Sequence, residues 1–206
     1  MNAFTNPKER WTKRFETQDY IFGQLPNDYL RSQQAHLKPG KALSIADGEG
    51  RNGVWLAEQG LDVDSFDFIE SAVEKARHLA AAKNVAIHAV CTHWENFDWA
   101  PSAYDNIVGI FFQFAGPQER VQIFKKINEA LKPGGVLILQ GYSTQQLQYN
   151  TGGPGKLDHL YDAAMLMEAF PNYEVLDLKA YEADIHEGTA HKGLSALVGY
   201  VGRKKG

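Results

Sequence analysis

The segment "SIADGEGRNG", residues 44–53, combines a glycine-rich turn with two carboxylates. Three of its glycines follow the G-x-G-x-x-G spacing of a dinucleotide-binding turn: Gly48, Gly50 and Gly53. Asp47 and Glu49 lie in the same turn. A carboxylate about 5 Å from a phosphate charge costs roughly 3 kcal/mol at an effective dielectric of 20, whereas it favours a sulfonium or an ammonium. The turn therefore favours S-adenosylmethionine over a nicotinamide or flavin dinucleotide.

Another acidic residue stands where a ribose-binding side chain is expected. Asp67 ends a predicted strand 17 residues after Gly50, and an acid there can accept hydrogen bonds from both ribose hydroxyls. It could instead cap the helix that begins near Ser71, and the two uses are compatible. Phe68 is expected either to pack on the adenine face or to join the core.

Two histidines near the carboxyl end of the chain could do acid–base chemistry. His186 and His191 lie in "DIHEGTAHKG", between two predicted strands. Histidine titrates near neutral pH, so either one could take a proton from a thiol, selenol, hydroxyl or amine. The alternatives are exposed histidines without a role, and a metal site shared with Asp184 and Glu187 that follows no recognised ligand spacing. We expect no metal.

Charge and hydropathy disfavour several classes of partner. The chain has 206 residues and a net charge of -4, so no strong basic field would attract nucleic acid or anionic lipid. Its most apolar run, "IVGIFFQFAG", is far shorter than the ~20 residues that span a bilayer, and no secretory core precedes it. Cys91 is the one cysteine. We expect a cytoplasmic protein, a single domain over residues 1–206, and a small-molecule partner.

Short apolar strands alternate with amphipathic helices from Ala42 to Gln140, which predicts a mostly parallel sheet with helices on both faces. Five strands are expected at "ALSIA", "LDVDSFDF", "VAIHAVC", "NIVGIFFQF" and "VLILQ". Two more, "YEVLDLKAY" and "LSALVGYV", have no crossover helix between them and are expected to be antiparallel. The prediction is a doubly wound, Rossmann-like α/β sheet of seven strands, with the ligand beyond the carboxyl ends of the strands.

Five segments, in their order along the chain, resemble the class I S-adenosylmethionine-dependent methyltransferases: "LSIADGEGRN", "FDFIESAVEKAR", "HWENFDW", "YDNIVGIFF" and "LKPGGVLIL". A closing antiparallel pair of strands is also typical of that family. The leader from Trp11 to Asn27 is similar to that of the small stand-alone methyltransferases related to the tellurite-resistance and thiopurine enzymes. The resemblance implies methyl transfer from S-adenosylmethionine to a small acceptor, with a thiol or another chalcogen as candidates.

The resemblance also implies which residues bind the cofactor. They belong to the glycine turn, to the ends of the next three strands and to the leader: Ser44, Ala46, Asp47, Gly48, Gly50, Asp67, Phe68, His93, Trp94, Ile110 and Arg14. Residues 1–40 are expected to fold over the cofactor as a lid, with Arg14 paired to the methionine carboxylate. Gln113 is expected to face the acceptor, so it joins His186 and His191 as a catalytic candidate. The alternatives are that the leader is a helix packed on the sheet edge with Arg14 in solvent, and that Gln113 is an ordinary loop amide.

Three positions depart from the family pattern. Ser44 and Ala46 stand where the family usually has an acid and a glycine. Ser44 can hydrogen-bond the turn but cannot form an ion pair with the methionine ammonium, which puts cofactor affinity at issue. His93 replaces an acid that reaches the adenine amino group, and it either accepts that bond or is a plain loop residue. Two other functions stay open: a non-catalytic S-adenosylmethionine-binding module and an NAD-dependent oxidoreductase.

Overall fold

The structure is a computed structural model that describes residues 7–149, 151–189 and 191–206, and within these ranges seven strands form one sheet. The strands are β1 (Lys41–Ile45), β2 (Asp62–Asp67), β3 (His88–Cys91), β4 (Tyr104–Ile110), β5 (Leu131–Tyr142), β6 (Tyr173–Glu187) and β7 (His191–Lys204). Their order across the sheet is β3-β2-β1-β4-β5-β7-β6. β1 to β5 are parallel, whereas β7 is antiparallel to both β5 and β6. The predicted doubly wound sheet is confirmed, including its antiparallel final pair.

Helices cover both faces of this sheet. They are α1 (Pro7–Phe15), α2 (Asp28–Ser32), α3 (Arg51–Glu58), α4 (Glu70–Ala82), α5 (Pro117–Ala130) and α6 (Ala163–Ala169). α3, α4 and α5 are the crossovers between successive parallel strands. Successive strand residues point to opposite faces, so Ile107 belongs to one buried cluster and its neighbour Val108 to another. A sheet covered on both faces leaves its carboxyl edge as the place for a ligand.

The fourth strand is shorter than the sequence pattern predicts. β4 ends at Ile110 instead of continuing to Phe114. The reason is Phe111, whose φ of +56° is in the left-handed region and turns the chain out of the strand. The apolar run "IFFQF" therefore bends along the carboxyl edge of the sheet.

The last two strands are longer than predicted. The segment "EADIHEGTAHKG" was expected to separate them, but β6 continues to Glu187 and β7 begins at His191, and these two residues pair. Gly188, at φ +63°, forms the turn between the strands. Ala183 and Ile185 of this segment pack against a buried cluster, whereas Glu182, Asp184 and His186 are exposed, so the segment alternates with the two-residue period of a strand.

Candidate cofactor and acceptor site

A cavity of about 220 Å³ lies beyond the carboxyl ends of β1, β4 and β5. Its floor is formed by residues that end or follow those strands: Ala46, Asp47, Gly48, Ile110, Phe111, Phe112 and Tyr142. Three segments distant in sequence form its other walls, namely the leader around α1, residues 152–154, and the tip of the β6–β7 hairpin. The described part of the expected lid thus contributes to the cavity wall, and residues 1–6 of that lid lie outside the described residues.

A smaller cavity of about 110 Å³ adjoins the first. Four residues line both: Ala46, Asp67, Phe68 and Phe114. His93 and Trp94 line the smaller one alone, and the His93 ring is 6.1 Å from the Phe68 ring at 87°. The Nε1 of Trp94 is buried without a hydrogen-bond partner among the described residues. Aromatic walls with an unused donor suit a flat heteroaromatic ring such as adenine.

Close packing requires glycine at two positions of the turn. Gly50 precedes α3 at φ +87°, and a Cβ there would come within 2.5 Å of the Ala76 Cβ. A Cβ at Gly53 would come within 2.4 Å of Asp47 Oδ2. Gly50 lines neither cavity, so it acts by letting α3 approach α4. Ala46 has φ +48°, which explains why the resembling family has glycine at this position.

Asp67 lies in the cavity wall, where ribose binding stays a prediction, and it does not cap α4, whose N-cap is Ile69 without a side-chain hydrogen bond. Its Oδ1 accepts a hydrogen bond from the Ile69 amide at 3.1 Å, just before α4, and its Oδ2 accepts one from the Gly48 amide at 3.0 Å. The side chain also lines both cavities. Burial raises the pKa of Asp67 to about 6, although its backbone hydrogen bonds act in the opposite direction. The carboxylate therefore lies between the glycine turn and the smaller cavity.

Ser44 and Asp47 are hydrogen-bonded to each other. Ser44 Oγ donates to Asp47 Oδ1 at 2.7 Å, and the Gly53 amide donates to Asp47 Oδ2 at 3.1 Å. Asp47 lines the larger cavity, whereas Ser44 lines neither. Burial raises the pKa of Asp47 to about 7, against the effect of these two hydrogen bonds.

Glu49, the other acid of the turn, has both carboxylate oxygens bound to other residues of the protein. Its Oε1 lies 2.8 Å from Lys75 Nζ, and its Oε2 accepts a hydrogen bond from the Phe22 amide at 3.4 Å. Tyr20 adds a bond from its hydroxyl to the Lys75 carbonyl at 3.0 Å. Glu49 therefore attaches the leader to α4 and lines neither cavity.

The tip of the hairpin is joined to the glycine turn by a buried ion pair. Glu187 Oε2 lies 2.8 Å from an Arg51 guanidinium nitrogen, and Glu187 Oε1 accepts a hydrogen bond from Asn27 Nδ2 at 2.8 Å. The Asn27 amide in turn donates to Asn52 Oδ1 at 3.0 Å. The hairpin, the leader and α3 are held together at this point.

His191 lines the larger cavity. Its Nδ1 lies 3.3 Å from Glu187 Oε2, and its ring centroid is 4.5 Å from that of Phe22 and 4.6 Å from that of Phe111. Burial lowers the pKa of His191, and the hydrogen bond to Glu187 only partly offsets this. His191 is therefore neutral at neutral pH. With Nδ1 turned to Glu187, its Nε2 is the nitrogen left for a ligand.

His186 has a different environment. Its side chain is 65% exposed, and its Nε2 lies 3.2 Å from Asp184 Oδ2. It lines neither cavity. His191 pairs with Glu187, which is the neighbour of His186 on β6. Because neighbouring residues of a strand point to opposite faces, the two histidines lie on opposite faces of the hairpin. Of the two, the described structure brings His191 alone to the cavity.

Gln113 lines the larger cavity, but its amide is used by the backbone. Its Nε2 donates to the Tyr142 and His159 carbonyls at 2.9 and 3.2 Å, and its Oε1 accepts from the Tyr142 amide at 2.6 Å. Tyr142 is thereby fixed at the end of β5. The Tyr142 side chain is buried, and its hydroxyl has no hydrogen-bond partner among the described residues. An unpartnered buried hydroxyl in a cavity wall is available to a ligand.

Most of the predicted site residues meet at the two cavities. The larger cavity is lined by Arg14, Ala46, Asp47, Gly48, Asp67, Phe68, Ile110, Gln113 and His191. Ser44, Gly50 and His186 line neither. Sequence reasoning did not select Phe111 or Tyr142 as site residues, although each ends or follows a parallel strand at the carboxyl edge and that position could have identified them.

A family model described as a methyltransferase domain matches residues 42–135, which include the glycine turn, Asp67 and β4. That stretch, slightly less than half of the 206 residues, is similar to a methyltransferase domain. The cofactor predicted from the turn, S-adenosylmethionine, is thereby confirmed, and the NAD-dependent oxidoreductase is set aside. The relationship to the tellurite-resistance and thiopurine enzymes stays a prediction. Comparison with curated proteins gave no match.

Solved structures share the fold of this chain. A protein from work on the conversion of a disulfide bond into a thioacetal group in echinomycin biosynthesis has a TM-score of 0.78 at 14% identity, over 97% of this chain and 94% of its own. TehB from Haemophilus influenzae has a TM-score of 0.70 at 20% sequence identity, over 96% of this chain and 67% of its own. The N-methyltransferase NodS from Bradyrhizobium japonicum WM9, solved with S-adenosyl-L-homocysteine, has a TM-score of 0.71 at 14% sequence identity, over 99% of both chains. At such identities the likeness shows a common fold.

The described residues fit S-adenosylmethionine. Asp47 and Asp67 are buried carboxylates in the cavity wall, suited to a cation and to ribose hydroxyls, and the smaller cavity suits adenine. No described helix is both long and apolar enough to cross a membrane. Within the same ranges, no group of three or more His, Cys, Asp or Glu side chains could hold a metal ion. The alternative metal site at the hairpin therefore has no support.

Proposed function

We propose that this methyltransferase acts on a small acceptor that carries a proton on its nucleophilic atom, with a thiol as the preferred class, and that His191 removes that proton. The observation that carries the proposal is the position of His191 in the cavity wall, with Nδ1 held by Glu187 and the rings of Phe22 and Phe111 beside it. A buried neutral imidazole with one nitrogen free is suited to general-base catalysis.

Glu187 keeps the proton of His191 on Nδ1, so the lone pair of Nε2 is available to the acceptor. When bound, S-adenosylmethionine supplies an electrophilic methyl group, whose bonding electrons return to sulfur as S-adenosylhomocysteine is formed. The acceptor atom forms its new bond to the methyl carbon and gives its proton to His191 Nε2. Glu187 then stabilises the imidazolium.

The cavity wall supports a compact and largely apolar acceptor. Trp11, Phe22 and Phe111 contribute aromatic surface, which suits a soft nucleophile and excludes water from the reacting atoms. The Tyr142 hydroxyl is the donor that would orient the acceptor atom toward the methyl group. Gln113 is a positioning residue in this proposal, because it acts by fixing Tyr142.

The cofactor contacts are proposed on the same basis. Asp67 would accept the ribose hydroxyls, and His93 and Trp94 would bind adenine in the smaller cavity. Arg14 would pair with the methionine carboxylate, and residues 1–40 would act as a lid on a single domain that spans residues 1–206. Pairing with a carboxylate would also offset the burial that lowers the pKa of Arg14.

The test is formation of S-adenosylhomocysteine with a panel of small thiols, selenols, phenols and amines. We expect turnover with a thiol. Binding of S-adenosylhomocysteine without turnover on any acceptor would instead favour a non-catalytic module. Methylation of a protein or nucleic acid, but of no small molecule, would refute the proposed acceptor class.

A further inference from the structure

Asp47 is a buried carboxylate that forms no ion pair among the described residues, although the charge of Arg51 acts on it. Two nearby buried acids each have a cation, since Glu49 of the same turn pairs with Lys75 and Glu187 of the hairpin pairs with Arg51, both at 2.8 Å. Among the described residues, no lysine, arginine or histidine forms an ion pair with Asp47, whose hydrogen bonds come from Ser44 and from the Gly53 amide. An unpaired charge in the protein interior is costly, so a ligand that supplies a cation would be favoured there.

The Asp47 carboxylate lies next to position 44, where this chain has serine in place of the acid of the resembling family. The resembling family has an acid at position 44, and here the Ser44 hydroxyl donates to Asp47 Oδ1 at 2.7 Å. The Asp47 carboxylate is therefore hydrogen-bonded to the side chain at position 44, where the resembling family carries its acid. It comes from three residues further along the chain, and it also bonds the Gly53 amide at the start of α3.

Asp47 faces the same cavity as Arg14. The amino-acid end of S-adenosylmethionine carries an ammonium and a carboxylate, so it needs one protein group of each sign. Arg14 lies on α1, with its guanidinium 5.0 Å from the Trp11 ring, and it provides the positive group. Asp47 lines the same cavity from the glycine turn and provides the negative one.

We propose that Asp47 binds the α-ammonium of S-adenosylmethionine, and that the Ser44–Asp47 pair replaces the acid that this family usually has at position 44. The inference rests on the cofactor and not on the acceptor chemistry. Its test needs no acceptor, so its failure and a failure of the His191 proposal are distinguishable.

The experiment compares two ligands by isothermal titration: S-adenosylhomocysteine, and 5′-methylthioadenosine, which lacks the ammonium and the carboxylate. Asp47→Asn keeps the shape and an oxygen for the Gly53 amide but removes the charge. A charge-assisted hydrogen bond accounts for about a tenfold change in affinity or more. We expect Asp47→Asn to weaken S-adenosylhomocysteine about tenfold or more and to leave 5′-methylthioadenosine nearly unchanged. Equal weakening of both ligands, or of neither, would overturn the proposal.

Two variants sharpen the result. Asp67→Asn should weaken both ligands, because both contain the ribose. The double variant S44D/D47N returns the acid to position 44 and should recover much of the affinity for S-adenosylhomocysteine. If it recovers none while its fold is intact, Asp47 acts through the local structure of the turn and the proposal is wrong.

The unmodified protein offers a second measurement in case Asp47→Asn does not fold. The groups that act on Asp47 are Ser44, the Gly53 amide, Asp67 and Arg51. Asp67 affects both ligands, so the ratio of their affinities reports on Asp47. Because burial raises the pKa of Asp47 to about 7, the preference for S-adenosylhomocysteine should fall up to about tenfold from pH 8 to pH 6. A constant ratio would contradict the assignment.

Discussion

Glu187, at the end of β6, and Arg51, at the start of α3, form an ion pair of 2.8 Å in which both side chains are less than a tenth exposed. The pair joins the hairpin tip to the glycine turn, so the segment that carries the proposed base is fastened to the segment proposed to bind the cofactor. Asn27 bonds the same carboxylate and brings the leader to the junction.

Removing the charge of Glu187 should destabilise the fold. Glu187→Gln leaves the Arg51 cation buried without its partner, and breaking a buried pair in this way costs about 3 kcal/mol. The matched control is Glu174→Gln, which breaks an exposed pair with Arg203 and should cost less than about 1 kcal/mol. Urea unfolding of both variants measures the difference. Equal losses would show that the hairpin is not secured by this pair.

The same pair predicts a pH dependence. Burial alone would raise the pKa of Glu187, but the bond from His191 and the charge of Arg51 outweigh burial and lower it from 4.5 to about 2. A group whose pKa is depressed in the folded state stabilises the fold above its unfolded pKa and loses that contribution as pH falls through its folded value. The stability deficit of Glu187→Gln should therefore shrink between pH 4.5 and pH 2. A deficit that stays constant over this range would contradict the lowered pKa.

His191→Gln should reduce turnover by about 10²-fold or more, which is the range of a general base, while binding of S-adenosylhomocysteine is retained. His186→Gln is the matched control, because that side chain is exposed and lines neither cavity, and it should keep full activity. Burial lowers the pKa of His191, so the acidic limb of the rate profile should lie below pH 6.5. Similar activity in the two variants would exclude His191 as the base.

Tyr142→Phe removes a hydroxyl that has no partner in the described structure, so it should not destabilise the protein. If that hydroxyl binds the acceptor, kcat/KM should fall about tenfold, the size of one lost hydrogen bond. Tyr200→Phe is the control, because its hydroxyl is also buried and unpartnered but lines neither cavity. Steady-state kinetics and thermal unfolding separate the two effects. Unchanged kinetics in Tyr142→Phe would remove this residue from the acceptor site.

Gly188→Ala should loosen the contact between the hairpin tip and the leader. A Cβ at Gly188 would lie 2.3 Å from the Ile21 carbonyl oxygen, whereas one at Gly60 would meet nothing within 4 Å, and both glycines have positive φ. Gly60→Ala should therefore cost about 1 kcal/mol from backbone strain alone, and Gly188→Ala should cost more. Limited proteolysis of the leader and chemical unfolding report the difference. Equal costs would mean that the leader is free to move away from the tip.

The fold class and the cofactor follow from the amino-acid sequence alone. Alternating apolar strands and amphipathic helices require a parallel sheet, because each element must bury its apolar side. Of the two acids in the glycine turn, Asp47 faces the cavity and disfavours a diphosphate, whereas Glu49 is paired with Lys75. These are local properties of residues 42–140. The sheet confirms the fold class, and the match of residues 42–135 to a methyltransferase domain bears out the cofactor.

Which polar side chains face the cavity depends on contacts between segments that are distant in the sequence. His186 and His191 look alike in the sequence, but the two-residue period of a strand and the turn at Gly188 send one to solvent and the other to the cavity. Asp47 and Glu49 are two residues apart in one turn, yet Glu49 is paired with Lys75 and Asp47 stays in the cavity wall. The hydrogen bonds and ion pairs that separate such neighbours join residues far apart in sequence, so no local pattern contains them.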